Sequence, residues 1–199
     1  MTQAMQFVAP EETARAHFYA LIARLFYAPP DAQLIAEMLQ AEAIADPGSE
    51  LDEHWRAMLA ACRNAFPAVL EQEHTDLFIG TGKAEITPYL SHYVLRHPGD
   101  TPLVALRRQL LEWDMARQEG AHEYEDHISA VCETMRFVIA VQQRPLHEQK
   151  AFFERFLYPG ATAFCAAVTA SQKARFYAPV ARFAQAFFDI EKSAFEMDG

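Results

Sequence analysis

A chain of 199 residues suits one domain and can bury a real core, and its 51% hydrophobic content with 15 phenylalanines excludes disorder. Only 7 glycines are present, and the dominant side chains are those that lose least entropy in a helix. The net charge of −10, from 27 acidic and 17 basic residues, repels nucleic acid and anionic lipid and favours basic partners.

Helical periodicity starts at Glu11 and runs to Tyr27, with Phe18, Leu21, Ile22, Leu25 and Phe26 on one face. Pro29 and Pro30 stop it, and Asp31 is placed to cap a second helix whose stripe is Leu34, Ile35, Met38 and Leu39. After an Asp46-Pro47-Gly48 turn, Ser49 with Asp52 resembles a capping box ahead of Trp55, Met58, Leu59, Cys62 and Phe66. Pro67 can open a further helix through Val69, Leu70, Leu77 and Phe78.

The period then breaks from Gly80 to Asp100, a stretch holding Gly82, Pro88, Pro98 and Gly99. So long a connection is functional or disordered, and Tyr89 and Tyr93 argue against disorder. Helix resumes with Thr101 as cap and Pro102 in the first turn, and Gly120 is placed to end it. Ile128 to Ile139 carries the next stripe, and Phe152 to Leu157 another beyond Pro145. A shorter helix with Phe164 and Val168 follows a break at Pro159-Gly160. The last runs from Phe176 to Ile190, with Pro179 kinking it or starting it. The expected fold is all-α: a single-domain bundle of about eight helices over residues 1–199, with a long central loop.

Cys62, Cys132 and Cys165 form no C-x-x-C pair and read as small buried hydrophobes. No apolar run approaches the roughly 20 residues of a membrane span. Residues 1–12 lack a basic region followed by an apolar one, so no export signal is read and a cytoplasmic location is expected.

Motifs for catalysis fail one by one. Gly80-Thr81-Gly82-Lys83 lacks the earlier glycine, the strand and the hydroxyl of a phosphate loop, having Leu77, a helix and Ala84 in their places. Ser91 and Ser129 lack a glycine elbow. A single E-x-x-H, Glu71 to His74, with Glu123 and His127 at i, i+4, leaves open a metal-binding bundle of ferritin-like kind, though the second E-x-x-H is missing. No enzyme activity and no cofactor are expected.

Two polar-aromatic segments remain. The first runs from Glu73 to Gly82 and on through Pro88-Tyr89-Leu90-Ser91-His92-Tyr93. The second is Tyr124 to Ser129, leading into Glu133 and Met135. Together they suit a groove for a peptide with apolar residues and basic flanks, or simply loop packing with an acid at a helix N-terminus.

The segments resemble the two signature regions of the TorD/DmsD family of redox-enzyme maturation chaperones. Leu77, Phe78, Gly80 and Gly82, then Pro88, Tyr89, Ser91 and Tyr93, match the first. Glu125, Asp126, His127, Glu133 and Met135 match the second. The Phe-rich tail from Gln149 to Glu191 is also similar. Thr87, Tyr89 and Thr81 stand where the family often has proline, tryptophan and proline. The resemblance implies a chaperone that binds the twin-arginine signal peptide and the apo-form of a molybdenum-cofactor oxidoreductase. It would hold the client from export until the bis-molybdopterin guanine dinucleotide is inserted, and the tail suggests a formate dehydrogenase. The implied client-binding residues are Leu77, Phe78, Pro88, Tyr89, Ser91, Tyr93, Asp126 and His127. A monomer or a helix-swapped homodimer fits the long central connection.

Overall fold

The computed structural model describes residues 9–41, 47–80, 82–95, 97, 101–116, 120 and 122–197. Asp46 of the expected turn, Thr81 of the glycine pair, and Pro98, Gly99 and Asp100 of the central connection lie outside them.

The first three helices begin where the sequence marks them. α1 (Pro10–Tyr27) has its proline in the first turn, and two glutamates there complement the helix dipole. α2 (Ala32–Gln40) is capped by the Asp31 carboxylate, which accepts the Leu34 N–H at 2.8 Å. At the start of α3 (Glu50–Arg63) the Ser49 hydroxyl accepts the Asp52 N–H at 3.2 Å. The Asp52 carboxylate reaches back to the Gly48 N–H at 2.8 Å, one residue upstream of the capping-box position.

Pro67 opens α4 (Pro67–His74), which widens into a π turn over Thr75–Ile79 before Gly80. Inside the stretch without helical period sits one short helix, α5 (Ser91–Val94).

α6 (Pro102–Glu112) starts as expected, but the Thr101 side chain makes no cap bond. It also ends well before Gly120. The Met115 N–H closes on the Leu110 carbonyl at 2.9 Å, and Asp114 takes φ 53°, a left-handed conformation that aspartate tolerates.

α7 (Ile128–Ala140) follows the second signature, with His127 as its cap. α8 (Leu146–Phe152) runs through a π turn, Phe153–Leu157, straight into α9 (Tyr158–Ala170). The expected break at Pro159-Gly160 is therefore absent. Proline has no N–H to place, so it sits comfortably in the first turn of α9, where the π turn has already rerouted the hydrogen bonds. Pro179 lies in the first turn of α10 (Tyr177–Met197), so it starts that helix and does not kink it.

α1 lies along α7, and α10 packs on α9 and α3. Aromatic rings fill the centre. Phe18 stands 5.5 Å from Phe183 and 5.3 Å from Phe187, with Trp55 5.4 Å from Phe183. All three cysteines are buried and free, as expected. Among the described residues no strand occurs, and no helix is long and apolar enough to cross a membrane.

Candidate functional site

The two signature segments meet. The Leu90 N–H donates to the Asp126 carbonyl at 2.8 Å, and the Ile128 N–H to the Pro88 carbonyl at 2.9 Å. These bonds make an antiparallel bridge between Tyr89 and His127. The Tyr89 ring stands edge-on to the His127 ring at 5.5 Å and lies 5.9 Å from Tyr124, and its hydroxyl donates to Glu123. Burial and the Glu123 carboxylate push the Tyr89 phenol up, so it stays a donor at ordinary pH.

Glycine sets the geometry on both sides. Gly80 takes φ 67°, and its N–H closes the π turn on the Thr75 carbonyl at 2.7 Å. A Cβ there would fall 2.2 Å from the Lys83 carbonyl oxygen, so only glycine lets the chain fold back under Leu77. Gly160 lets α9 approach the bridge, for a Cβ there would meet the Leu90 Cβ at 2.8 Å.

The expected site residues divide into two layers. Leu77, Phe78 and Pro88 are buried. Phe78 packs between Phe26, Phe164, His74 and Tyr177, with centroids 5.0 to 6.0 Å away. Leu77 and Phe78 continue the inward stripe of α4, and this fixes their direction. Ser91 and Tyr93 are half-buried on α5, with the Tyr93 hydroxyl on the Thr87 carbonyl at 2.8 Å. Tyr89 is half-buried in the bridge.

Asp126 and His127, on the second-signature side of that bridge, are buried. The His127 Nδ1 accepts the Ser129 N–H at 3.2 Å, so this nitrogen carries no proton. Burial, reinforced by the nearby His74, lowers the His127 pKa to about 4 against the pull of Glu123. Burial lowers His74 too. The Asp126 Oδ1 is buried and has no hydrogen-bond partner among the described residues, and the same holds for the Ser129 hydroxyl.

Beside the second signature an open groove of about 850 Å³ runs between α1 and α7. Its floor is apolar, from Ala20, Ala23 and Tyr27 on α1 and Ala130 and Phe137 on α7. Four carboxylates border it, Asp114, Glu123, Glu125 and Glu133, against two arginines, Arg24 and Arg136. Arg136 is bound to Glu133 at 2.7 Å and Arg24 to Asp31 at 3.0 Å, and the excess of carboxylates over arginines leaves the rim acidic. Among the expected site residues His127 lines the groove directly. The α1 wall carries no sequence signal, because its alanines read as ordinary helix formers.

Glu71, His74, Glu123 and His127 do not make a metal site. Among the described residues no three His, Cys, Asp or Glu side chains are grouped to hold an ion. Glu71 is exposed on α4 while His74 faces the core.

An all-helical chain whose two signature segments close on each other beside such a groove has the architecture of a redox enzyme maturation chaperone. A structure from Archaeoglobus fulgidus, described as a redox enzyme maturation protein, superposes with a TM-score of 0.59 over 94% of this chain and 99% of its own. The identity is 17%, and the likeness is one of fold. The model of the nitrate reductase delta subunit family matches residues 45–166, a span holding both signatures. The chain belongs to that family, whose members are TorD-like redox enzyme maturation chaperones. No curated protein matches the sequence significantly.

Proposed function

We propose that this protein is the chaperone of a molybdenum-cofactor oxidoreductase and takes its client's twin-arginine leader in the groove between α1 and α7. The observation that carries the reading is the union of the two signatures at the edge of an acid-rimmed, apolar-floored groove. A leader of this type offers two arginines followed by a modest apolar stretch. The floor, with Tyr27 more than half exposed, accepts the apolar part. The rim carboxylates accept guanidinium groups, whose planar fork matches a carboxylate better than an ammonium does. Asp126 Oδ1 is a buried acceptor in want of a donor beside this rim. The net charge of −10 draws a cationic leader in from a distance.

In this reading Leu77, Phe78 and Pro88 support the site from beneath, and Tyr89, Asp126 and His127 form its hinge with Ser91 and Tyr93 behind them. The protein acts in the cytoplasm, before export, on the apo-form of the client. The molybdenum cofactor belongs to the client, and this chain supplies binding and no chemical step. The client is a formate dehydrogenase, as the tail suggests, or a nitrate reductase, as the family's description suggests.

Calorimetric titration with synthetic leaders from both enzyme classes tests the reading. A twin-arginine leader is expected to bind with micromolar or tighter affinity, and a twin-lysine version about tenfold more weakly. Asp126→Asn is expected to weaken binding while leaving the helix content unchanged. Absence of heat with every leader, at low salt and with folded protein, overturns the reading.

A further inference from the structure

We propose that Glu125 and Tyr124 form a guanidinium subsite for an arginine of the client, and that the chain's own Arg107 fills this subsite until the client arrives. The proposal rests on the leader-binding reading above and specifies where one of the two arginines goes.

Arg107, on α6, points its Nε and Nη2 at Oε2 of Glu125, at 3.0 and 2.9 Å. The guanidinium carbon lies 5.9 Å from the centroid of the Tyr124 ring, within reach of a cation–π attraction. An acid and an aromatic face around one planar cation make a complete arginine subsite. Both Glu125 and Tyr124 belong to the groove wall, and Asp126 adds negative potential at the same arginine. The occupant comes from a segment with the leader's own chemistry. Arg107 and Arg108 stand side by side and are followed by Leu110 and Leu111. Successive helix residues diverge by about 100°, so one arginine of the pair can enter the subsite.

Exposure decides between a permanent tie and a replaceable occupant. Arg15 is held by Glu191, whose side chain is 3% exposed, and losing that pair would strand a buried charge. The Arg107 side chain is 46% exposed and that of Glu125 17%. A pair whose arginine stands half in water contributes less to stability than one buried on both sides. An incoming guanidinium can therefore replace Arg107 like for like, and Arg107 is released into water.

The test titrates the twin-arginine leader into the full-length protein and into Arg107→Ala, Arg107→Lys, Glu125→Gln and the Arg107→Ala/Glu125→Gln double variant. Removing the occupant is expected to tighten binding about two- to fivefold in Arg107→Ala, the range an exposed pair allows. Arg107→Lys, which keeps the charge and loses the fork, is expected to give a smaller gain. Glu125→Gln is expected to weaken binding and to cancel the gain in the double variant. In the wild-type protein the Arg107 Nε–H signal in NMR is expected to lose its protection from solvent as leader is added. Unchanged or weaker binding in Arg107→Ala, with wild type still binding, overturns the subsite and leaves the leader reading standing. Retained Nε–H protection in the leader complex overturns it as well, independently of any variant. If neither wild type nor Arg107→Ala binds, both proposals fall together.

Discussion

His127 holds three things at once. Its side chain caps α7, its backbone pairs with Tyr89, and its ring stands against the Tyr89 ring. The cap requires the neutral imidazole, because a proton on Nδ1 would face the Ser129 N–H and remove it. The folded pKa is about 4, below the ordinary 6.5, so unfolded chains take up the proton first as pH falls. The stabilisation is full above about pH 6.5 and is lost as pH drops toward 4. His127→Asn keeps an N-cap acceptor and removes the titration. It is expected to flatten urea stability between pH 6.5 and 4.5 relative to wild type, leaving the smaller slope of His74. An unaltered slope in the variant would show that His127 does not couple folding to protons. At this scale the polar half of the site was legible, since an acid and a histidine directly before a helical stripe mark a helix start. The direction of the apolar half was legible as well, since the spacing of Leu77 and Phe78 from Leu70 and His74 places them on the buried face.

The N–H groups that lead into α10 are satisfied from a different part of the chain. The Glu73 carboxylate on α4 accepts the N–H groups of Arg175, Phe176 and Tyr177, each at 2.9 Å from Oε1. Charge-assisted bonds of this kind are stronger than neutral ones, and the negative charge also complements the helix dipole. Glu73→Ala would leave buried donors without acceptors and is expected to cost about 3 kcal/mol in urea denaturation. Glu73→Gln keeps an acceptor oxygen and is expected to cost roughly half as much. Equal costs for the two would mean that side-chain packing, not the bonds, matters here. Nothing in the local sequence around Phe176 announces this cap, because its acceptor lies about a hundred residues upstream. The two π turns escaped notice for a related reason. Thr75–Ile79 and Phe153–Leu157 carry the same apolar spacing as ordinary helix, and their extra residue is a response to packing. The helices with their own signals, Asp31 before α2, Ser49 before α3 and the prolines of α4 and α6, began where those signals stand.

Across the whole molecule, the groove is a product of assembly: its walls come from α1 and α7, which are distant in sequence, and its rim from these helices and the segment between α6 and α7. Composition gave the sign of its charge and the signatures gave one edge. The α1 wall depends on how the first helix is seated, and besides its packing along α7 that seat is tied by a polar network to α10. Arg15 on α1 grips Glu191 on α10 through two bonds of 2.7 Å, and the Tyr19 hydroxyl adds a third at 2.9 Å. Arg15 also reaches Gln149 at 3.1 Å, and Gln149 in turn donates to the Arg144 carbonyl at 2.8 Å. Arg15 also holds Glu12 at 2.5 Å, but Glu191 is almost wholly buried, so truncating one partner of the Arg15–Glu191 pair costs more than removing both. Glu191→Ala is expected to lower stability by about 3 kcal/mol, the low end for a broken buried pair, since Arg15 keeps Glu12 as a carboxylate partner while the Tyr19 hydroxyl loses its acceptor. The double variant Arg15→Met/Glu191→Leu replaces the pair with packed apolar volume and is expected to recover most of that loss. Leader titration then separates the two roles of the network. If its work is to seat α1, the double variant keeps α1 against α7 and binds leader nearly as wild type does. A double variant that is stable yet fails to bind would mean instead that the charges themselves shape the groove.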